Sequence, residues 1–421
     1  MIKDIRIEDY TYDLPEERIA KYPLACRDDS KLLVYTSATG RGPIASQFKQ
    51  IADYLPDNAL MVFNNTKVVP ARLIFHRDTG AVIEIFCLEP DDPSDYQVAF
   101  AQTRKCRWKA IVGNIKRWKG GQISLYTGDN SGQTGAHAPK SASELLDSIS
   151  LKAELISREA NVCIVEFSWE GGYSFSTVME NCGRIPIPPY LKRDTQPIDY
   201  ERYQTYYARR EGSVAAPTAG LHFTARELDQ IDARGICRAE LCLHVGAGTF
   251  MPVKSECIGD HVMHSEPFSV TLDLVGKIRS AALEGRPIVA VGTTSTRSLE
   301  SLYFIGVQCI ERGEPHYVEQ WEPYREQGYD YSLAESMEAL EGYMRSNGLE
   351  SMVSRTQIII VPGYKYRVIN FLVTNFHQPQ STLLLLIAAL IGEKWRDLYA
   401  FAMDSGFRFL SYGDSSLLER E

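Results

Sequence analysis

The chain has no Cys-x-x-Cys pair, although it carries nine cysteines among its 421 residues. An odd number of scattered thiols fits neither a disulfide framework nor a zinc site, and reduced thiols in a cytosol are the expectation. No apolar run is long enough to cross a bilayer. The longest, Leu383 to Ile391, predicts a buried helix. Residues 1–17 are polar and partly acidic and lack the apolar stretch of a secretory signal. Internal repeats and low-complexity tracts are absent, and apolar and charged residues are balanced as in ordinary globular proteins. Net positive charge is also missing. The formal charge is −9, so any affinity for nucleic acid must come from a local patch.

Hydropathy patterning gives two kinds of region. From Ala71 to about Trp169 short segments alternate apolar and polar residues. Ala71–Phe75 and Val82–Phe86 flank a turn at Asp78–Thr79–Gly80 and predict a hairpin. Gln122–Tyr126 and Asn161–Phe167 predict further strands, with a Gly/Ser-rich loop over 131–140. This stretch is expected to form a small all-β, barrel-like domain, residues 71–169. It would be inserted in an α/β main domain made of residues 1–70 and 170–421. In that larger part helices and strands alternate. Thr224 and Glu227 form a capping box. Leu272, Val275, Ile278 and Ala282 mark a helix face that stops at Gly285. Residues 311–355 look like an added elaboration whose helix, from Ser332, packs on the surface of the core.

Several segments carry polar groups where a chain turns. Asn64, Asn65, Thr66 and Lys67 follow an apolar strand. Ala215–Phe223 is a small-residue loop that carries His222 just ahead of a helix start, where the positive end of the helix dipole favours a neutral imidazole. Leu243–Phe250 holds His244, Gly246, Gly248 and Thr249, but no helical period follows, which excludes an ordinary dinucleotide loop. His261, His264 and Glu266 fit metal-ligand spacing only loosely; general acid/base work is favoured over a metal, and a plain polar loop over either alone. Val291–Glu300 reads as a strand, a turn and a helix start. Its free N–H groups and Arg297 suit an anion, and the absence of a Gly-Lys pair excludes an ATP phosphate loop. Between Tyr96 and Gly128 there is no acidic residue, and Lys105, Arg107, Lys109, Lys116 and Arg117 interleave with Trp108 and Trp118. Cations for phosphates and indoles for stacking predict RNA contact there, slightly ahead of a solvated strand face with Trp in the core.

Taken in order, these segments resemble the S-adenosylmethionine:tRNA ribosyltransferase-isomerases of queuosine biosynthesis. The similarity runs from Tyr12–Glu16 and Ile19–Leu24, through Ile185–Tyr190, Tyr203–Ala208, Ala215–Phe223, Leu243–Phe250, Met263–Glu266, Gly292–Ser298, Pro362–Tyr364 and Thr374–His377, to Ser411–Asp414. The resemblance implies an α/β body with an inserted β-barrel. It also implies transfer and isomerisation of the ribosyl part of S-adenosylmethionine onto the aminomethyl group of a 7-deazaguanine at the tRNA wobble position. The product is epoxyqueuosine, and adenine and methionine leave. S-adenosylmethionine is then a co-substrate rather than a resident cofactor, tRNA is the partner, and no metal or membrane is involved. A cytoplasmic monomer is the expectation.

For proton transfer the resemblance directs attention to His222, His244, His264 and His377, with Glu266 and Asp414 behind them. Substrate contacts are expected from Asn64, Asn65, Thr66, Lys67, Arg72, Thr218, Gly220, Phe223, Gly246, Gly248, Thr249, Thr293, Thr294, Arg297, Asn375 and Tyr412. Phe223, Phe250 or Tyr412 would face the sulfonium, and Thr293, Thr294 and Arg297 the methionine carboxylate. Asn65 and Lys67 stand where the family usually has Asp and Arg, and Pro267 and Gln380 where Trp and Lys are common. The alternatives are a paralogue acting on another base or a small molecule, and a non-catalytic RNA-binding paralogue.

Overall fold

In the computed structural model the apolar run after Ala59 becomes β3 (Leu60–Asn64), a strand buried along its whole length. The structure describes residues 2–77, 79–126, 148–159, 162–246, 253 and 255–421. Asp78, the 131–140 loop, Gly248, Thr249 and Phe250 lie outside the described residues. Leu60 and Val62 enter one core, and Met61 and Phe63 enter another on the opposite face of the sheet. A strand covered on both sides needs apolar residues at every position, which is why this segment reads as a run and not as an alternation.

The other strands, in chain order, are β1 (Lys31–Tyr35), β2 (Ile44–Gln47), β4 (Thr66–Val68), β5 (Arg72–His76), β6 (Val82–Asp92), β7 (Lys105–Gly113), β8 (Gln122–Leu125), β9 (Lys152–Glu159) and β10 (Val162–Ser168). They continue with β11 (Arg210–Ser213), β12 (Cys237–Leu243), β13 (Glu266–Thr271), β14 (Ile288–Val291), β15 (Ser351–Thr356), β16 (Phe371–Asn375) and β17 (Ser415–Glu419). A nine-stranded sheet has the order β15-β13-β12-β3-β14-β16-β17-β1-β2. Its centre, β12, β3, β14 and β16, is parallel. Helices α1 (Ala225–Ala233), α2 (Leu272–Glu284), α3 (Thr293–Arg312), α4 (Leu333–Ser346) and α5 (Thr382–Ile391) pack around it. Thr224 and Glu227 cap α1 reciprocally, Gly285 ends α2 in a left-handed conformation, and Ser381 caps the buried α5.

Strands β5 to β10 close into a six-stranded antiparallel barrel. The hairpin expected around residues 78–80 is β5–β6. Along β7, Cys106, Trp108, Ala110 and Val112 point into the barrel core, while Lys105, Arg107 and Lys109 stand on the other side. The chain enters and leaves the barrel at adjacent points. Arg72 and Arg184 exchange both backbone hydrogen bonds, at 3.2 and 2.8 Å, and β4 pairs in parallel with β11.

The 311–355 stretch packs on the core through the expected apolar stripe and adds a strand to the large sheet. Met337, Leu340 and Met344 of α4 are fully buried against the main core, and β15 pairs with β13 as an edge of the large sheet. Its apolar stripe at helical spacing fills a layer that α2 and α3 leave open.

Candidate active site

Because β3, β12, β14 and β16 run in parallel, Asn64, Leu243, Val291 and Asn375 end on one side of the sheet. That side is where open α/β sheets bind ligands. A cavity of about 190 Å3 lies there, with walls from the turns after β14 and β16, the 215–219 loop, the 261–266 segment and residues 358–360.

Strand β14 turns into α3 through Gly292, whose φ of +89° is left-handed and suits glycine. No side chain caps this helix. The Ser295 hydroxyl donates to the Val291 carbonyl at 2.7 Å and that of Thr296 to Gly292 at 3.2 Å. The first N–H groups of α3, beside Thr293 and Thr294, therefore have no capping side chain where they meet the cavity. Arg297, one turn on, is 6% exposed. Its Nη1 is paired with Glu266, its Nε donates to the Ile358 carbonyl at 3.2 Å, and its Nη2 has no partner.

The other wall is the end of β16. Asn375 donates from Nδ2 to the Leu410 carbonyl at 3.1 Å and to His222 Nε2 at 3.2 Å, while its Oδ1 is buried without a partner. An amide N–H can only donate, so His222 accepts at Nε2 and donates from Nδ1 to Ser30 Oγ at 2.8 Å. Burial, with the charges of Arg408 and Arg27, pushes the His222 pKa down to about 3. The neutral imidazole expected from the sequence is present, but burial rather than a helix dipole is the main cause. His222 stands behind Asn375 and holds it, outside the cavity wall. His377 lines the cavity. Its Nε2 bonds Thr374 Oγ1 at 2.9 Å, its N–H donates to Tyr399, and its carbonyl accepts from Tyr12. Burial lowers its pKa to about 3. His264 is exposed at the cavity mouth beside His261. Burial, then the His264 charge, lowers the His261 pKa.

Of the residues expected from the sequence, the cavity brings together Thr218, His264, Glu266, Thr293, Thr294, Arg297, Asn375 and His377. Others have different surroundings. Asp414 accepts from the Lys31 and Arg408 backbones and the Arg408 guanidinium, at 3.0, 2.8 and 3.0 Å, so both oxygens serve the fold. His244 lies between Thr66 (3.0 Å) and the Tyr96 ring (4.5 Å), against Gly212, and burial lowers its pKa to about 4. Asn64 brackets Leu243, donating to its carbonyl and accepting from its N–H, both at 3.0 Å. Gly246 follows Val245, which reaches the cavity. Phe223 is fully buried against Phe48 and Phe63, so it cannot face a sulfonium. Tyr412 donates to Asp199 at 2.7 Å. Gly220 leaves room for the Tyr207 hydroxyl, which would stand 2.1 Å from an added Cβ. Lys67 pairs with Glu211 at 2.8 Å, and Arg72 with Glu84. Asn65 donates to Glu240 at 2.9 Å, in a separate cavity of about 530 Å3.

The basic patch divides in the same way. Trp108 is 1% exposed and packs on Phe100 and Phe175 inside the barrel, so it cannot stack on a base. Arg107 pairs with Glu166 and Lys109 with Glu89, each at 2.8 Å. Lys105, Lys116 and Arg117 are exposed. Sequence reasoning missed Tyr190, Tyr203 and Ile358–Ile360 as cavity residues. The tyrosines lie in segments that carry the family resemblance, whereas the isoleucines have no polar signal.

Among the described residues no helix is long and apolar enough to cross a membrane, and no cluster of three metal-ligating side chains occurs. Comparison with known proteins gives one consistent result. An S-adenosylmethionine:tRNA ribosyltransferase-isomerase of Legionella pneumophila (strain Corby) is 36% identical over 418 residues, covering 98% of this chain and 99% of the relative. Proteins of the same description from Halothermothrix orenii and Magnetococcus marinus are 36% and 34% identical, covering 98% of this chain and 100% and 94% of the relatives. A crystal structure of an S-adenosylmethionine tRNA ribosyltransferase from Thermotoga maritima is 24% identical over 97% of this chain and 99% of that one, with a TM-score of 0.45. The profile of the queuosine biosynthesis proteins matches residues 7–418, and the chain belongs to that family.

Proposed function

We propose that the chain transfers the ribosyl part of S-adenosylmethionine to the aminomethyl group of a 7-deazaguanine at the tRNA wobble position, with isomerisation to epoxyqueuosine and release of adenine and methionine. The observation that carries this reading is the cavity at the ends of β14 and β16, lined by motif segments shared with the family and by buried polar groups without partners. S-adenosylmethionine is bound there as a co-substrate.

The sulfonium acidifies the neighbouring 5′ carbon, and a positioned base removes the proton. His377 and His264 line the cavity, and proton transfer is assigned to them. Such help is worth roughly 10²–10⁴ in rate. His222, His244 and Asp414 act through the fold. Thr218, Thr293, Thr294 and Asn375 contact the co-substrate. Lys105, Lys116 and Arg117 neutralise tRNA phosphates from the barrel side. The same reading divides the chain into an α/β body, residues 1–70 and 170–421, and the inserted barrel, 71–169. It also makes the enzyme a cytoplasmic monomer.

The test is a nucleoside assay. Protein, S-adenosylmethionine and tRNA carrying the aminomethyl-deazaguanine are incubated, and the digest is analysed by mass spectrometry. Epoxyqueuosine with free adenine is expected. Its absence beside an active family enzyme would overturn the proposal.

A further inference from the structure

Arg297 and Glu266 are the only arginine or lysine and the only aspartate or glutamate among the described residues that line the cavity. They are paired with each other through Nη1 and Oε2. Both are more than nine-tenths buried, at 6% and 4% exposure. The pair is incomplete on both sides. Arg297 Nη2 has no partner, and among the described residues no hydrogen bond reaches the Glu266 carboxylate beyond the one from Arg297. A buried donor without an acceptor is costly, and folded proteins keep few of them. Next to Arg297, the uncapped N-terminus of the 20-residue α3 opens into the same space through Thr293 and Thr294. Its free N–H groups and its dipole favour a negative charge.

A zwitterion matches this arrangement. A carboxylate completes Arg297 Nη2 and the α3 N–H groups, and an ammonium completes Glu266. The four charges then alternate in sign. We infer that Arg297 and Glu266 form a receptor for an α-amino-acid group, in which Arg297 with the α3 N-terminus holds the α-carboxylate and Glu266 holds the α-ammonium. The inference rests on the reading that the co-substrate is S-adenosylmethionine, whose methionyl end carries both groups. It moves Glu266 from proton transfer to recognition. Because the receptor reads the amino-acid end and not the sulfonium, S-adenosylhomocysteine binds through it as well.

The test keeps the protein unaltered and changes the ligand. Titration calorimetry compares S-adenosylhomocysteine with its decarboxylated and its deaminated analogues. A charge-assisted hydrogen bond lost at a buried partner corresponds to roughly 10- to 150-fold in affinity, and each analogue is expected to bind that much more weakly. In Glu266→Gln the deaminated analogue is expected to bind as well as S-adenosylhomocysteine, while the penalty for decarboxylation persists. Equal binding of all three ligands to the native protein would overturn the receptor and leave the proposed reaction standing. Unchanged discrimination against the deaminated analogue in Glu266→Gln would overturn the role of Glu266. No binding of S-adenosylhomocysteine, together with a negative nucleoside assay, would overturn the reaction and the receptor alike.

Discussion

Gly306→Ala in α3 is expected to destabilise the protein, against the usual sign for a helix-interior glycine. Exchange of Gly for Ala inside a helix ordinarily stabilises by about 0.5–1 kcal/mol. At Gly306 an added Cβ would stand 2.2 Å from both the carbonyl oxygen and the hydroxyl of Ser336 and 2.7 Å from its carbonyl carbon. The obstacle is backbone, so rotating a side chain does not relieve it. Helix α4 must retreat by about 1 Å to reach an ordinary C···O separation. That movement loosens the contacts of the fully buried Met337 and Leu340 and strains the 2.6 Å bond from Ser336 to the Tyr303 carbonyl. Overpacking of this kind costs about 1–3 kcal/mol, which exceeds the gain in propensity. The control lies in the facing helix. Gly342 of α4 has nothing within 4 Å of an added Cβ, so Gly342→Ala should stabilise by about 0.5–1 kcal/mol. Urea unfolding followed by far-UV circular dichroism gives both midpoints. If Gly306→Ala raises the midpoint as Gly342→Ala does, α4 does not pack on α3 as described and the reasoning fails.

Three further outcomes are expected. His222 and His377 have pKa values lowered to about 3 and His244 to about 4, from an ordinary 6.5. The unfolded chain therefore binds protons in this range that the folded one does not. Their contribution is complete above pH 6.5 and is lost as pH falls towards 3–4, at up to about 1.4 kcal/mol per pH unit for each histidine. A His222→Gln, His377→Gln double variant should lose less stability between pH 7 and pH 5 than the native protein, and equal losses would refute this. Replacing Lys116 and Arg117 by Ala should weaken tRNA binding and reduce the slope of log affinity against log salt by about 2. Trp108→Phe should leave that slope unchanged and lower the thermal midpoint instead; a changed slope would place Trp108 at the RNA after all.

The features legible in the sequence are those set by neighbours along the chain. The capping box at Thr224 and Glu227, the stop at Gly285 and the β5–β6 hairpin are decided within a few residues, and all three are present. Several segments that line the candidate cavity were legible for a related reason. Their polar groups follow strands directly, as Thr293 follows β14 and Asn375 ends β16. Long-range partners were not legible. Nothing near His222 announces Ser30 or Asn375, more than 150 residues away on either side, and nothing near Arg297 announces Glu266. Trp108 was misplaced for an avoidable reason. The alternation of Lys105, Arg107 and Lys109 with Cys106, Trp108 and Ala110 already assigns the indole to the opposite face from the cations. A list of basic and aromatic residues ignores that period.

The doubled bond between Arg72 and Arg184, where the chain enters and leaves the barrel, has a consequence for how such a protein can vary between lineages. Whatever happens to the length of the loops between these two residues, the ends handed back to the large sheet stay side by side. Gains and losses of residues within barrel loops are therefore absorbed locally, without moving β3 or β12 by one position. The same change between β12 and β14 would shift residues lining the cavity. Length variation among relatives should accordingly accumulate in the barrel's connecting loops and be purged from the segments that follow β12, β14 and β16.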